Sequence, residues 1–167
     1  MGSTHEMGVR LSRFLRGKQG FTLIEILVVI GIIAILAAIV IVAVNPGRQF
    51  AQARDTQRTS NVNAILNAIG QNIADNKGIF TCPSYTLTAS STDISNAAAN
   101  IRDCIVPTYM PEIPYDPGVS GAHVTSSADY DTKYTVLQDG NGRITVCAPG
   151  AASETAIAGA ASVCVTR

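Results

Sequence analysis

One acidic side chain, Glu25, lies near the beginning of a long apolar stretch of the chain. From Ile26 to Val44 no side chain is charged or strongly polar, and no lysine, arginine or histidine lies between Phe21 and Asn45. A carboxylate at membrane depth costs about 2.5–3.5 kcal/mol and therefore needs a partner. A free α-amine, created by cleavage just before Phe21, would serve, either one helical turn away or on a neighbouring chain. The partner of Glu25 is therefore expected to be a lipid headgroup, water or a group outside the side-chain inventory, such as this amine.

The apolar stretch is long enough to cross a membrane. Residues 21–44 would form a helix of about 36 Å at ~1.5 Å per residue, against a hydrocarbon core of ~30 Å. A lone span must be helical, because lipid offers no partner to an unpaired backbone group. Basic residues precede the span, at Arg10, Arg13, Arg16 and Lys18. This asymmetry predicts a cytoplasmic N-terminus and an exported C-terminal part.

Two simpler interpretations are a secretory signal peptide cut near Ala43 and a plain one-pass anchor. The apolar region of a signal peptide usually has about 7–15 residues, which is shorter than this one. The best small-residue site also lies directly before Asn45-Pro46. Neither interpretation accounts for the acidic side chain at position 25.

The residues around the predicted cut resemble the type III signal sequence of type IV pilins and pseudopilins. The shared elements are upstream basic residues, glycine before the cut, phenylalanine after it, glutamate four residues on, and a retained apolar helix. They are found in the segment Lys18-Gln19-Gly20-Phe21-Thr22-Leu23-Ile24-Glu25 and the aliphatic run behind it.

The resemblance implies a sequence of processing and assembly steps. A prepilin peptidase would cut between Gly20 and Phe21 on the cytoplasmic side, and the new Phe21 amine would be N-methylated. Glu25 would then pair with the Phe21 amine of an adjacent subunit as the filament grows. Glycine before the cut has a physical reason, since a residue without Cβ lets the backbone approach the catalytic groups closely.

A second helix is expected beyond the apolar stretch. Pro46 lacks an N–H and clashes with the preceding turn, and Gly47 adds flexibility, so Asn45-Pro46-Gly47 is predicted to end or bend the first helix. The alternative is a helix stop with Pro46 as the first residue of a new helix. Residues 47–77 are predicted helical because apolar residues recur on one face, at Val62, Ile65, Leu66, Ile69 and Ile73.

The remaining residues are predicted to form a small exported head with strands at 133–138, 143–148 and 161–166. Asp139-Gly140-Asn141-Gly142 indicates a hairpin between the first two strands. A short helix is expected within 95–106, started by Ser95, and a loop over 107–132. The stretch from Tyr109 to Pro117 resembles a proline-rich segment of pilin heads.

The fold class that follows is α+β and pilin-like. A long N-terminal helix, membrane-spanning in its lower half and amphipathic in its upper half, packs on a small antiparallel β-sheet head. The predicted domains are a cytoplasmic leader that is removed (1–20), a transmembrane and assembly helix (21–45), its amphipathic continuation (46–77) and the globular head (78–167).

All four cysteines lie in the predicted head, at Cys82, Cys104, Cys147 and Cys164. An even number of cysteines in an exported domain predicts disulfides. Of the three connectivities, 82–104 with 147–164 is favoured because each bond closes a short segment. A zinc site and free buried thiols are the alternatives, although no Cys-x-x-Cys or histidine pairing supports zinc.

Composition and charge exclude several other classes. The chain has 12 basic and 12 acidic residues, 47% hydrophobic and 14% charged residues, which excludes a disordered polyampholyte, a coiled-coil rod and a strongly basic nucleic-acid binder. Residues 78–167 carry four basic and eight acidic side chains, a net charge of −4, so no direct nucleic-acid contact is predicted. The basic residues Arg48, Arg54 and Arg58 are expected to pair with acidic groups of neighbouring heads.

No cofactor and no catalytic residue is predicted. Catalytic motifs are lacking in the sequence, and His123 has no motif around it. Calcium remains a weak alternative, with Asp129 and Asp131 as candidate ligands, because carboxylates at alternate positions supply oxygen ligands. Asp139 does not begin an EF-hand loop, since Gly150 stands where the bidentate glutamate belongs.

The predicted function is that of a structural subunit of a type IV pilus. The chain would be a single-pass membrane protein in lipid before assembly and part of an extracellular filament of identical subunits afterwards. Prepilin peptidase and the pilus assembly platform with its ATPase are the implied partners. A major pseudopilin of type II secretion is the nearest alternative, and a monomeric membrane-anchored binding domain is the alternative from another class.

Overall fold

The computed structural model describes residues 20–167. Predictions about the leader, including its basic residues at 10, 13, 16 and 18, lie outside the described residues. The described chain divides into two compact units, of which one ends at Ala43 and the other comprises Val44–Arg167. The predicted segments 46–77 and 78–167 therefore share one unit.

The first unit is dominated by a single helix, α1, which spans Leu23–Val44. It is the one helix among the described residues that is long and apolar enough to cross a membrane. Its many β-branched residues have modest helix propensity in water. In lipid the helix is favoured all the same, because only a helix pairs every backbone group of a single span internally.

The second helix, α2, spans Pro46–Asp75. The break between the helices lies at Asn45, which adopts a left-handed conformation (φ 46°) and caps α2, its side chain accepting a hydrogen bond from the Arg48 N–H. Pro46 thus begins a helix, the arrangement weighed above as the alternative. Gly47 lies inside the first turn of α2, and the flexibility expected from it stays a prediction.

The apolar stripe of α2 faces the head, as predicted. Val62, Ile65, Leu66 and Ile69 are buried and Ile73 is partly buried against them. Their cover is a five-stranded antiparallel sheet formed by β1 (Thr92–Ser95), β2 (His123–Ser126), β3 (Asp129–Gln138), β4 (Ile144–Ala148) and β5 (Val163–Thr166). The α+β fold class is thereby confirmed.

The strands are ordered β1-β3-β4-β5, and β2 also pairs with β3. Asp131 of β3 is paired with Ser95 on one side and with His123 on the other, so β1 and β2 lie on opposite edges of β3. α2 packs against β4 and β5. The predicted hairpin joins β3 to β4, and the Asp139 carboxylate accepts hydrogen bonds from the N–H groups of Asn141 and Arg143.

Two strands and one helix differ from the sequence-based predictions. β2 lies in the segment 107–132 that was expected to be a loop, and β1 was not predicted, because four-residue segments such as Thr92–Ser95 show no apolar alternation. Ser95 ends β1 rather than starting a helix. The short helix in this region, α3, covers Arg102–Ile105 and has no side-chain cap.

Candidate processing and assembly site

The predicted cleavage site lies at the open end of α1. Gly20 and Phe21 are exposed, and the side chain of Phe21 is 80% accessible. A Cβ placed on Gly20 would meet no atom within 4 Å. The fold of the described residues therefore places no demand for glycine at this position, and any such demand comes from a partner.

Glu25 is held by Thr22 in a reciprocal cap at the start of α1. The backbone N–H and the hydroxyl of Thr22 both donate to Glu25 Oε2, at 3.3 Å each, and the Glu25 N–H donates to Thr22 Oγ1 at 3.2 Å. This is a capping box, which satisfies backbone donors that the first turn leaves unpaired. Sequence analysis missed this role of Thr22, although the spacing Thr-x-x-Glu before an apolar run is its recognised signal.

The cap changes what Glu25 offers to another subunit. Its carboxylate already accepts two hydrogen bonds from Thr22, which lowers the cost of holding a charge near lipid. The carboxylate remains exposed in the single chain, so it is open to a further cation. The structure thus places Phe21 and Glu25 within one turn of each other, with Thr22 between them.

Much of the apolar surface of α1 is accessible in the single chain. None of its residues is buried, and its large aliphatic side chains are about half exposed or more. An apolar rod of this length is unstable in water. It requires either lipid or the apolar surface of other chains.

A cluster of buried charges fastens the head to α2. Arg58 is only 1% exposed and donates from Nε and Nη2 to the two carboxylate oxygens of Asp116, at 2.7 and 2.8 Å. Its Nη1 donates to Glu154 and Asp55 at 2.7 Å each. Arg54 donates to Glu154 from Nε at 2.7 Å. We call these five side chains the Arg58 cluster.

The Arg58 cluster corrects the predicted pairing of Arg54 and Arg58. Arg54 and Arg58 pair with acids of their own head, so the expectation that they pair with neighbouring heads is wrong for both. The i,i+3 spacing of Asp55 and Arg58 is a local signal that favours their pair, whereas no local signal indicates Asp116 and Glu154, because both are remote in sequence from Arg58. Buried ion pairs are costly to break because the remaining charge is left unpaired.

Close packing around the Arg58 cluster explains why glycine occupies positions 118 and 150. A Cβ on Gly150 would lie 2.4 Å from Val119 Cγ2 and 2.6 Å from Asp116 Oδ2, and one on Gly118 would lie 2.8 Å from Arg58 Nη2. None of these distances is compatible with a normal contact, so a Cβ at Gly150 would displace the Asp116 carboxylate and a Cβ at Gly118 would displace the Arg58 guanidinium.

The Gly150→Ala variant is therefore expected to lower the free energy of unfolding of the head by about 1–3 kcal/mol. The matched control is Gly70→Ala in α2, where an added Cβ meets no atom within 4 Å and alanine is expected to stabilise the helix by about 0.5–1 kcal/mol. Urea unfolding of the full chain in detergent, followed by near-UV circular dichroism, measures both, because all five tyrosines lie in the head. Equal stability of the two variants would contradict the packing argument.

Acid is expected to weaken the Arg58 cluster. The guanidinium of Arg54, opposed by burial and assisted by Arg58, lowers the pKa of Glu154 from 4.5 to about 2. Burial alone would raise the pKa of Asp116, but Arg58 and the N–H groups of Gly118 and Val119 together lower it. A depressed pKa in the folded state stabilises the protein above the unfolded-state pKa, and this contribution is lost as the pH falls through the folded-state value.

The stability of the head should accordingly fall between pH 4.5 and about 2, and much less between pH 7 and 4.5. Other acids titrate in the same range, so the Glu154→Gln variant isolates this contribution. We expect it to be less stable than the wild type at pH 7 and to show a shallower fall in acid, as measured by urea unfolding at each pH. Parallel curves for the two proteins would contradict the assignment.

The cysteines form two disulfides, Cys82–Cys104 and Cys147–Cys164. This is the pairing favoured from the sequence, and no cysteine among the described residues is free. The second bond joins β4 to β5, whose residues 147 and 164 are register partners. The first bond fastens the segment after α2 to α3.

The two weak calcium candidates are engaged by neighbouring side chains. Asp129 accepts hydrogen bonds from Thr125 at 2.6 Å and contacts His123 Nε2 at 3.1 Å, while Asp131 pairs with Lys133 at 2.5 Å. In the part of the chain that the structure describes, no three histidine, cysteine or acidic residues are grouped so that they could hold a metal ion.

The part of the chain that matches a known family is the segment around the predicted cleavage site. Residues 15–41 match a family model described as the prokaryotic N-terminal methylation motif. The chain carries the prepilin signal of type IV pilins and pseudopilins. The match includes Gly20, Phe21 and Glu25 and most of α1, and it confirms the resemblance stated from the sequence. No curated protein and no solved structure gives a significant match to the chain.

The prepilin signal and the fold agree with each other. The motif supports a pilin-like or pseudopilin subunit, and a long apolar helix followed by a small antiparallel sheet is consistent with a pilin-like fold. The exposed apolar surface of α1 and the prepilin signal fit a membrane-anchored pilin. The free end of α1, which carries the matched motif, is the candidate functional site.

Proposed function

We propose that this chain is the structural subunit of a type IV pilus. A prepilin peptidase removes residues 1–20, the amine of Phe21 is methylated, and the mature chains polymerise into a helical surface filament for adhesion, motility or DNA uptake. The observation that carries this proposal is the match of residues 15–41 to the methylation motif. The exposed Gly20-Phe21 bond at the end of an uncovered apolar helix supports it.

Assembly in this proposal is driven by the apolar surface of α1. Removing that surface from lipid is favourable only when equivalent apolar contacts replace the lipid, and other copies of α1 supply them. A heterologous contact that does not close into a ring produces a filament. The carboxylate of Glu25 selects the axial register, because a wrong offset leaves it without the Phe21 amine.

The role is not catalytic, and the partners are those that processing and assembly require. They are the prepilin peptidase, the assembly platform and its ATPase, other copies of the chain, and lipid before assembly. The N-terminus faces the cytoplasm and the head is exported, where disulfides form and persist. We propose no resident cofactor and no direct contact with nucleic acid.

A mass measurement tests the proposal against its alternatives. The chain is isolated from membranes of cells that contain a prepilin peptidase, and its intact mass and N-terminal peptide are determined. A mature N-terminus at Phe21 that carries one added methyl group supports the proposal. An intact Met1, or a cut near Ala43, would mean an anchor or a secreted domain instead.

A major pseudopilin of type II secretion has the same processing and would give the same mass. Calcium distinguishes the two, because resemblance to a major pseudopilin implies a calcium site in the head, whereas Asp129 and Asp131 of this chain contact His123, Thr125 and Lys133. Removal of calcium with a chelator should leave the unfolding temperature of the head unchanged. A fall in that temperature would favour the pseudopilin.

A further inference from the structure

The first turn of α2 carries a cation and an aromatic ring that the head leaves uncovered. Arg48 is exposed and the side chain of Phe50 is 66% accessible. Within residues 20–167 no carboxylate lies at salt-bridge distance from Arg48, and the first turn of α2 contains no acidic residue. A cation at this end of a helix opposes the helix dipole, so the isolated chain gains nothing from it.

The chain itself fixes how far this turn can lie from the membrane. Arg48 lies four positions after Val44, the last residue of α1, and a chain of this length extends at most ~14 Å. The polar region beyond the hydrocarbon core is roughly 5–7 Å thick on each side, and the arginine side chain extends several ångströms further toward it. When α1 spans a membrane, Arg48 is therefore within reach of the phosphate groups, whatever the orientation of the head.

The arrangement of the two side chains favours lipid over a second copy of the chain. Residues two apart on a helix point about 160° away from each other and differ by ~3 Å along the axis. Arg48 and Phe50 consequently lie at one depth but on different sides of α2. A partner helix docks on one side, whereas lipid surrounds the turn.

We propose that the first turn of α2 anchors the unassembled subunit at the outer membrane–water interface. Arg48 binds the phosphate groups of phospholipids, and the apolar ring of Phe50 lies at the boundary between headgroups and acyl chains, as Phe does on the apolar face of interfacial helices. The lipid phosphate groups, and not the acidic groups of neighbouring heads expected from the sequence, are then the partner of Arg48. The inference rests on insertion of α1 in a membrane and needs neither cleavage nor a filament.

A single tryptophan tests the position of this turn. The chain contains no tryptophan, so a Phe50→Trp variant of the full-length protein reports on one site. It is reconstituted in phosphatidylcholine vesicles with and without phosphatidylglycerol, and brominated lipids serve as quenchers. The matched control is Ile79→Trp, whose native side chain is 70% exposed beyond the other end of α2.

We expect lipid quenching and a blue-shifted emission for Phe50→Trp, and an unquenched, water-like emission for Ile79→Trp. Adding Arg48→Gln to the Phe50→Trp variant should reduce the ratio of docked to undocked turns by about fivefold in phosphatidylglycerol vesicles. Lys77→Gln, which removes an exposed cation near the other end of α2, should leave that ratio unchanged. Quenching should persist when the protein is diluted into excess lipid.

Several results would overturn the inference. Equal, water-like emission from both tryptophans would show that the turn lies outside the interface. Quenching that is insensitive to Arg48→Gln would remove the phosphate contact. A blue shift that disappears on dilution into excess lipid would identify a second copy as the occupant. None of these results depends on a peptidase, so the proposed function could fail while the anchor is upheld, and the reverse also holds.

Discussion

The Gly20→Leu variant is expected to keep its leader, so that its mass in cells with a prepilin peptidase is that of the full chain. The structure makes this test specific, because Gly20 is exposed, lies before the first residue of α1, and a Cβ at this position meets nothing within 4 Å in the described chain. A failure of cleavage therefore reports on the peptidase and not on misfolding of α1. The physical reason is that a Cβ with a branched extension keeps the scissile backbone away from the catalytic groups.

Two controls accompany this variant. Gly20→Ala adds a single carbon and should be cleaved, slowly or at the normal rate. Gly31→Ala lies in the interior of α1, where an added Cβ also meets nothing, and it should be processed normally. Normal cleavage of Gly20→Leu would mean that the bond between residues 20 and 21 is not the processing site.

The Glu25→Ala variant should be cleaved at the normal bond and yet yield few or no filaments. A charge-assisted hydrogen bond contributes about 1.5–3 kcal/mol, so its loss weakens each subunit addition by roughly tenfold or more. Insertion in the membrane is not impaired, because alanine removes the cost of placing a carboxylate near lipid. Filaments sheared from cells and quantified against total processed chain give the measurement.

Glu25→Gln separates the two roles that the structure assigns to this side chain. Glutamine can complete the capping box with Thr22, but it carries no charge for the Phe21 amine of another subunit. The account predicts that Glu25→Gln assembles as poorly as Glu25→Ala. Normal assembly of the glutamine variant would show that capping of α1 suffices and that charge pairing sets no register.

The elements with strong local signals were predicted correctly from the sequence. The apolar run of α1, the stripe from Val62 to Ile73 and the turn at Asp139–Gly142 each depend on residues close together in the chain. β1 and β2 gave no such signal, since their four residues are selected by pairing with β3 and not by their own pattern.

The residues of the candidate sites also differ in whether a local sequence signal indicates them. Gly20, Phe21 and Glu25 were identified because the motif is contiguous in the sequence. The capping role of Thr22 could have been predicted from its spacing from Glu25. The Arg58 cluster joins residues such as Arg58 and Asp116, which are 58 positions apart. The contacts of Arg58 with Asp116 and Glu154 depend on the folded head, so neither charge spacing nor composition could predict them.

The most direct test of the central claim is the identity of the chain in sheared surface fibres. Fibres are collected from cells that express the wild-type chain or the Gly20→Leu variant, and their protein is analysed by mass spectrometry. The account predicts wild-type fibres built from chains that begin at methylated Phe21, and none from the variant. Fibres that lack the chain, together with an uncleaved form dispersed in the membrane, would contradict it.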